Sequence, residues 1–361
     1  MKTFGMWIVL FISVQAALTA VQVFTNKKPV KWPIRLALIA AKALIAVAFA
    51  LLVMAGPVFL RPIQPLLTVI YAVLLPDAAA DLLTLLVWRR ERSFRHLRRA
   101  SLVLGLAFFL YGTVNMQIVT PEYHRFASPK LTETHRIVFV SDLHVGSSQS
   151  FDTTRRTIEK IGAEHPDFVI LGGDITDDYT TKAEMEETYR LFGALGVPVY
   201  YIDGNHELVQ HPEYMPDGID YSREELLSAI ERNGITVLRD EYVSLAPDLL
   251  LLGREDMADL SQRKAVTKPG AGGFFLVADH QPVSIREHLA LGADLQLSGH
   301  THAAQFFPLK LLYPLFTPTY GEYEYPRGAK LYVSAGASGW RLPFRTEAHC
   351  RFDVVDLVPA E

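Results

Sequence analysis

Four short motifs that combine aspartate, asparagine, histidine and glycine follow one another along the second two-thirds of the chain. The motifs are Asp142-Leu143-His144, Gly173-Asp174, Gly204-Asn205-His206-Glu207 and Gly299-His300-Thr301-His302. Carboxylate oxygens, amide oxygens and imidazole nitrogens are common protein ligands of divalent cations. The motifs therefore predict one metal site that is built from distant parts of the chain.

Each motif follows an apolar run of strand length. The runs are Ile137 to Val140, Phe168 to Leu171, Val199 to Ile202 and Leu295 to Leu297. A strand that ends in a sharp turn is a common way to bring a ligand to a point shared with distant residues. We therefore expect the motifs to meet in space.

The ligand types restrict which ions would bind. Asp142 and His144 can reach one cation together, and Asp174 can bridge two cations with its two carboxylate oxygens. Asn205 adds an amide oxygen, and imidazoles come from His280, His300 and His302. This set suits Mn²⁺, Fe²⁺ or Zn²⁺ better than Ca²⁺. It is also too large for one tetrahedral ion, so we expect two divalent ions.

Other kinds of reactive site have little support in the sequence. No Gly-x-Ser-x-Gly motif is present, and Gly270-Ala271-Gly272-Gly273 lacks the lysine and the spacing of a phosphate-binding loop. The single cysteine, Cys350, excludes an internal disulfide framework and a thiolate-rich zinc site. The remaining histidines are expected to be ordinary polar residues: His96, His124, His135, His165, His211, His288 and His349.

The first 120 residues contain four long apolar stretches. They lie near Met6 to Phe24, Ile34 to Leu60, Leu66 to Trp88 and Ser101 to Val119. Each approaches or exceeds the roughly 20 residues that a helix needs to cross a bilayer, and most lack the polar stripe of a soluble bundle. Residues 1–120 are therefore predicted to hold about four transmembrane helices. Pro76 and Asp77 make the third span the least secure, and we expect it to kink or to enter the bilayer only partly.

Basic residues between the apolar stretches indicate an orientation. The first and third stretches are followed by Lys27, Lys28, Lys31 and Arg35 and by Arg89, Arg90, Arg92, Arg95, Arg98 and Arg99, whereas the second is followed only by Arg61. Because short cytoplasmic links are enriched in Lys and Arg, residue 120 onward is expected outside the cytoplasm of a multi-pass protein of the cell membrane. Lys2 argues weakly against this. The net charge of −4 gives no reason to expect a nucleic-acid partner.

The composition changes after the apolar region. Residues 121–134 carry turn formers and are predicted to be a linker. In residues 135–361, strand-like runs alternate with helical patterns, which predicts an α/β domain. The apolar run from Phe306 to Phe316 is broken by Pro308 and Pro314 and cannot span a membrane. Whether it packs on the domain core or contacts a lipid substrate stays open.

The motif series, together with His280, resembles the calcineurin-like metallophosphoesterase family over residues 135 to 356. Within that family the chain is similar to the membrane-linked bacterial branch with the pattern Gly-His-Thr-His-Gly-Gly-Gln, followed by a Gly/Ser turn and a Pro-x-Arg element. Here Ala303 and Ala304 replace the double glycine, and Glu347-Ala348 replaces the Pro-Glu after Arg345. The resemblance implies a two-sheet αββα sandwich, and the replacements bear on loop shape near the substrate.

The resemblance also implies residue roles. It assigns Asp142, His144 and His302 to one metal and Asn205, His280 and His300 to the other, with Asp174 as the bridge. His206 would face the substrate as the catalytic residue. Apart from the resemblance, the position of Asp177 and Asp178 just past the bridging residue predicts either that one of them orients a ligand histidine or that both are ordinary turn residues. Two such cations can generate hydroxide from a shared water and hold the phosphoryl oxygens.

The sequence thus predicts a membrane-anchored, binuclear phosphoesterase, in the first place a phosphodiesterase. Its substrate would be a phosphoester, with a lipid or lipid-linked envelope precursor as a sharper version. Two alternatives stay open. One is a membrane receptor or scaffold whose metallophosphoesterase-like domain only binds its ligand, and the other is a cytosol-facing hydrolase of a nucleotide or a nucleotide-linked lipid. The sequence gives no indication of the oligomeric state.

Overall fold

The structure, a computed structural model, describes residues 2–25, 31–55, 63–87, 93–209, 219–267, 270 and 272–360. The chain divides into two compact units. The helical unit contains Met1–Val114 and Phe306–Leu309. The second unit, which is named the catalytic unit after the predicted function of its site residues, contains Asn115–Gln305 and Lys310–Glu361. Several basic residues used to predict the orientation lie outside the described residues: Lys27, Lys28, Arg61, Arg89, Arg90 and Arg92.

Long helices account for the apolar part of the chain. They are α1 (Lys2–Thr25), α2 (Trp32–Ala55), α3 (Gln64–Val87) and α4 (Ser93–Met116). Within the described residues, three segments are long and apolar enough to cross a membrane, namely Trp32–Met54, Gln64–Leu86 and Arg99–Met116. The apolar part of α1, Trp7–Val21, is shorter. The third stretch forms a single helix with Pro76 inside it.

Two aspartates of α3 are paired with basic residues of α2. The Lys42 ammonium donates to Asp77 at 2.6 Å and to Asp81 at 2.8 Å, and the Ser101 hydroxyl donates to Asp77 at 2.6 Å. Arg35 also donates to Asp81, at 3.3 Å. An aspartate among apolar helices is costly unless it is paired and hydrogen-bonded. Asp77, the residue that made the third predicted span the least secure, is therefore stabilised by partners on α2 and α4.

The catalytic unit contains two six-stranded sheets. The first has the order β1-β12-β2-β3-β4-β5 and the second β10-β11-β9-β8-β7-β6. The strands are β1 (Val119–Ser128), β2 (His135–Val140), β3 (Phe168–Gly172), β4 (Val199–Ile202), β5 (Thr236–Val237), β6 (Glu241–Ala246), β7 (Leu249–Gly253), β8 (Phe274–Ala278), β9 (Leu295–Ser298), β10 (Gly321–Glu324), β11 (Lys330–Val333) and β12 (Cys350–Pro359). The helices are α5 (Phe151–Ala163), α6 (Lys182–Gly193), α7 (Asn205–Leu208), α8 (Arg223–Arg232) and α9 (Ile285–Leu291).

Alternation along the strands separates the two core layers. In β2, Ile137 and Phe139 pack into an apolar layer with residues of the second sheet, such as Leu276. Val138 and Val140 point to the opposite face and pack with residues of α5, α6 and α8. Since α9 packs on the outer face of the second sheet, the order of layers is helix, sheet, sheet, helix. This confirms the predicted αββα sandwich.

The structure differs from the prediction of a linker at residues 121–134. Strand β1 occupies the first part of this stretch and pairs in parallel with β12 from Val119 opposite Cys350 to Ser128 opposite Pro359. Because β1 lies at the edge of its sheet, Pro121 is tolerated within it. Its partner is more than 200 residues away in the chain, so local composition could not reveal the pairing.

Candidate metal centre

Five of the candidate ligands stand two or three residues beyond the ends of five strands. Asp142 follows β2, Asp174 follows β3, Asn205 follows β4, His280 follows β8 and His300 follows β9. Strands β2, β3 and β4 are parallel neighbours in one sheet, and β8 and β9 are parallel neighbours in the other. The carboxyl ends of neighbouring parallel strands meet at one edge. The fold therefore brings the predicted site residues together.

Most of the ligand turns have an unusual backbone conformation. Positive φ angles occur at Asp142 (53°), His144 (42°), Asp174 (52°), His300 (71°) and His302 (49°). Left-handed backbone costs a non-glycine residue roughly 1–2 kcal/mol, and such strain concentrates at functional sites. Hydrogen bonds hold these turns to one another, since the Asp142 amide donates to the Gly173 carbonyl at 3.0 Å and the His144 amide to the Asp174 carbonyl at 3.1 Å.

The first group of candidate ligands is Asp142, His144 and His302, all of them buried. The Nε2 atoms of the two histidines lie 3.3 Å apart, and His302 Nε2 lies 3.5 Å from an Asp142 carboxylate oxygen. Each Nδ1 faces an oxygen acceptor at 3.2 Å, the Asp177 carboxylate for His144 and the Ser338 carbonyl for His302. Because each Nδ1 must carry the proton, both Nε2 lone pairs can point at the same cation.

The second group is Asp174, His280 and His300. His280 Nδ1 donates to the Gly172 carbonyl at 2.9 Å, and its Nε2 lies 3.1 Å from Asp174 Oδ2. The same carboxylate oxygen is 3.8 Å from His144 Nε2 in the first group. Asn205 Oδ1 lies 2.8 Å from His300 Nδ1. One carboxylate oxygen thus stands between the two groups.

His206 lies beside both groups. Its ring packs edge-on against the His144 ring, with centroids 5.0 Å apart, and its backbone amide donates to Asp174 Oδ1 at 2.9 Å. The side chain is partly exposed, and Nδ1 has no hydrogen-bond partner within the described part of the chain. The partly exposed residue therefore borders the candidate ligands and has a buried ring nitrogen without a partner among the described residues.

Charges within the site determine which groups are ready to bind a cation. Burial raises the pKa of Asp174, but the nearby histidines, above all His280, outweigh burial and hold that pKa well below its usual value. Burial lowers the pKa of His302 to about 3 and that of His300 to about 4, so both imidazoles are neutral. Burial also opposes the charge on His144, yet Asp177 and the neighbouring aspartates raise its pKa to about 9. Metal binding would therefore release a proton from His144.

This donor set fits divalent cations. Buried carboxylates and imidazole lone pairs converge within 4.8 Å of one another in each group. The neutral imidazole of His302 places its Nε2 atom 3.3 Å from His144 Nε2 and 3.5 Å from an Asp142 carboxylate oxygen, where its lone pair is available to a cation. Nitrogen and oxygen ligands without thiolate match first-row divalent ions.

Glu207 is a site residue to which the sequence assigned no role. Its buried carboxylate accepts hydrogen bonds of 2.9 Å from the backbone amides of Asp174, Thr176 and Gly204. Burial, followed by the charge of Asp174, raises its pKa to about 7. The sequence feature that could have indicated this role is the position of Glu207 three residues after Gly204. An acid at that position commonly accepts a hydrogen bond from the backbone amide of the residue that begins the helix.

Arg345, in the Pro-x-Arg element, holds the backbone of the Gly299-His300-Thr301-His302 motif. Its buried guanidinium donates to the carbonyls of His302 at 3.0 Å, Ala335 at 2.7 Å and Ser338 at 2.9 Å. Since the Ser338 carbonyl also receives His302 Nδ1, Arg345 orients that ligand through two backbone carbonyls.

The two alanines that replace the branch's double glycine retain a conformation that glycine adopts without strain. Ala303 has a φ of 47° and Ala304 a φ of 60°, and both are fully buried. The loop after His302 thus keeps a left-handed path at the cost of strain in two alanines.

A separate cluster of possible metal ligands lies outside this site. Glu122, His124 and Asp353 lie close together on β1 and β12. Arg351 pairs with Glu122, and Tyr332 donates to Asp353 at 2.6 Å. Because protein donors already serve both carboxylates, we assign this cluster a structural role.

Two glycines allow the turns to approach so closely. A Cβ on Gly204 would lie 2.2 Å from Asp174 Oδ1 and 2.3 Å from its amide nitrogen. A Cβ on Gly299 would lie 2.4 Å from both Asp142 Oδ2 and Ser141 Oγ. Any side chain at either position would displace a candidate ligand.

Comparison with known proteins identifies the family of the chain. Residues 135–304 match the family described as calcineurin-like phosphoesterase. A metallophosphoesterase of Helicobacter pylori is 30% identical over 288 residues, which cover 74% of each chain. The chain belongs to the calcineurin-like metallophosphoesterase family. Members of this family are metal-dependent phosphoesterases, and the H. pylori relative is itself named as uncharacterized.

Two further relatives extend the comparison. A metallophosphoesterase of Campylobacter jejuni is 28% identical over 76% of this chain and 75% of its own length. A Danio rerio protein named as a transmembrane protein with a metallophosphoesterase domain is 26% identical over 72% of this chain and 61% of its own. Together with the three span-length helices, the last similarity indicates that this metallophosphoesterase is a membrane protein.

Gly204→Ala tests the close packing of the turns. Because the added methyl would collide with the Asp174 carboxylate and amide, metal affinity should fall on the order of 10- to 100-fold, as measured by metal titration. Gly272→Ala is the control, since a Cβ there meets nothing within 4 Å. Unchanged affinity in Gly204→Ala would contradict the proposed packing.

Proposed function

We propose that the protein is a membrane-anchored, binuclear metallophosphoesterase, and that a phosphodiester is the first substrate class to test. The observation that carries the proposal is the position of Asp174. Its Oδ2 lies 3.1 Å from His280 Nε2 and 3.8 Å from His144 Nε2, so that a single carboxylate can serve two ions. The donor set supports Mn²⁺, Fe²⁺ or Zn²⁺ as these ions.

Each residue would then have a distinct role. Asp142, His144 and His302 would hold one ion, and Asn205, His280 and His300 the other, with Asp174 shared. Two bound cations supply an activated water and positive charge where phosphoryl oxygens become more negative. Asp177 and the Ser338 carbonyl keep the proton of their histidine on Nδ1. Glu207 holds the Asp174 turn against the Gly204 turn.

His206 would contact the substrate directly. Its amide is fixed by Asp174 while its ring remains partly exposed. From this position an imidazole N–H can donate to a phosphoryl oxygen or pass a proton to the departing oxygen. Either contribution grows as the bond to the leaving group breaks, so His206 should act on turnover more than on binding.

Asp174→Asn tests the shared carboxylate. Asparagine keeps the shape but removes the charge between the two groups, so hydrolysis of a soluble aryl phosphodiester with Mn²⁺ should fall at least about 100-fold. Metal content, measured by elemental analysis, should fall in parallel. Asp152→Asn, an exposed aspartate on α5, is the control. If the wild type were as inactive as Asp174→Asn with several metals and phosphoesters, the receptor alternative would replace the enzyme.

His206→Asn separates catalysis from metal binding. The backbone amide that holds Asp174 remains, so metal content should be unchanged. Turnover of the same phosphodiester should drop about 10²- to 10⁴-fold while KM changes little. Loss of metal from this variant would instead make His206 a ligand.

We further propose that the catalytic unit faces the outside of the cell membrane in a multi-pass arrangement. The proposal is supported by the basic residues after the first and third apolar stretches, among them Lys31 and Arg99. The link from α4 to β1 consists of only two residues, so the domain begins where that helix ends.

A reporter fused after Glu361 tests this orientation. Alkaline phosphatase, which requires export, should be active in the fusion, and β-galactosidase should be inactive at the same position. The opposite pattern would place the site in the cytoplasm and favour a nucleotide or a nucleotide-linked lipid as substrate.

A further inference from the structure

The segment after the last metal motif carries a concentrated apolar surface. Leu311 is 71% exposed, Leu315 76% and Phe316 86%, and Leu312 between them is also exposed. Elsewhere in the described catalytic unit, exposed large apolar residues occur singly, as at Leu260 and Val283. Single exposed apolar side chains are ordinary, whereas a contiguous group marks a contact surface. We name residues 311–316 the apolar loop.

The local backbone holds these side chains outward. Two single-turn 3-10 helices, Leu309–Leu311 and Tyr313–Leu315, follow each other with only Leu312 between them. Leu309 is fully buried, whereas the loop residues after it are not. The loop is therefore anchored at its start, so its exposed side chains are part of an ordered structure.

Chain connectivity points to what covers the loop. Residues Phe306–Leu309, which only Lys310 separates from the loop, belong to the helical unit. Within that unit, the Tyr71 hydroxyl of α3 donates to the Phe307 carbonyl at 2.6 Å, and the Tyr71 and Phe306 rings pack edge-on at 5.5 Å. Since α3 contains one of the span-length segments, the loop begins directly after residues held by a candidate membrane helix.

The composition of the loop and its flank suits a lipid surface. Lys310 precedes the loop and stacks its ammonium 4.3 Å from the Tyr320 ring centroid, and Tyr313 lies within the loop. Lysine and tyrosine beside leucine and phenylalanine are typical of segments that lie at the boundary between headgroups and acyl chains.

We propose that the apolar loop inserts into the bilayer and that the metal site accordingly acts on the phosphoester of a membrane lipid. The loop follows the candidate ligand His302 by only nine residues, so a loop in the acyl region restricts the site to the neighbourhood of the headgroups. The substrate class rests on the proposed phosphoesterase function. Insertion of the loop does not.

Insertion is tested without any activity measurement. In the full chain with Cys350→Ala, a fluorophore sensitive to polarity is attached at Leu315→Cys and, as control, at Leu260→Cys, which is 64% exposed on another loop. The protein is reconstituted into phosphatidylcholine and phosphatidylglycerol vesicles. The label at 315 should emit at shorter wavelength and be quenched by lipids brominated in their acyl chains, and the label at 260 should not. The proposal is overturned if the label at 315 emits at the same wavelength as the label at 260. It is also overturned if the emission at 315 shifts but the brominated lipids do not quench it, because contact with a second copy of the chain would produce that result.

The substrate class is tested with two probes that share a leaving group. One is a soluble aryl phosphodiester, and the other is a phospholipid in vesicles whose phosphodiester carries the same aryl group. In the double variant Leu315→Glu and Phe316→Glu, KM for the lipid should rise at least about tenfold, because charge opposes insertion, while the soluble probe is hydrolysed as by wild type. Leu260→Glu should alter neither rate.

The outcomes separate the two proposals. The lipid assignment would be contradicted if the loop variant and the wild type hydrolysed the lipid probe at equal rates. It would also be contradicted if the variant lost activity equally on the lipid probe and the soluble probe. A wild type that hydrolyses neither probe, yet shows the lipid-quenched label at 315, would refute the phosphoesterase function and leave the inserted loop in place.

Discussion

The buried carboxylate of Asp174, placed between two sets of imidazoles, sets the constraint on which the catalytic unit depends. A charge removed from water is tolerated only where opposite charge and hydrogen-bond donors surround it. His280, His144 and the amide of His206 supply part of this environment. The neutral imidazole of His302 keeps its Nε2 lone pair within the same buried group, where a divalent cation can bind it. The turns that follow the strands therefore depend on the same charges that would bind the metal.

The fold meets this constraint with strained but mutually supported turns. Glu207 ties together the turns after β3 and β4 by accepting three backbone hydrogen bonds, and Arg345 ties His302 to the loop after β11. The glycines at 204 and 299 let backbone and carboxylate approach at distances that no Cβ would permit. Left-handed backbone at several ligands is then maintained by the surrounding structure. Such rigid placement suits the proposed two-ion site.

Much of this arrangement could be predicted from the sequence, because its signals are local. Strand-length apolar runs and the turns behind them gave β2, β3, β4 and β9 and the residues that converge there. Strand β1 was missed because its partner, β12, is distant in the chain and its own composition is polar. The support from Glu207 and Arg345 was missed because it consists of side chain to backbone contacts, which depend on how turns pack. Likewise, Asp77 made α3 look insecure because its partner Lys42 is on another helix.

The central claim is that two ions share Asp174, and anomalous X-ray scattering from crystals of the Mn²⁺-loaded full chain tests it most directly. Data collected at the manganese edge should show two peaks roughly 3.5–4 Å apart. One peak should lie among Asp142, His144 and His302, the other among Asn205, His280 and His300, with the Asp174 carboxylate between them. A single peak, or two peaks that Asp174 does not join, would contradict the account.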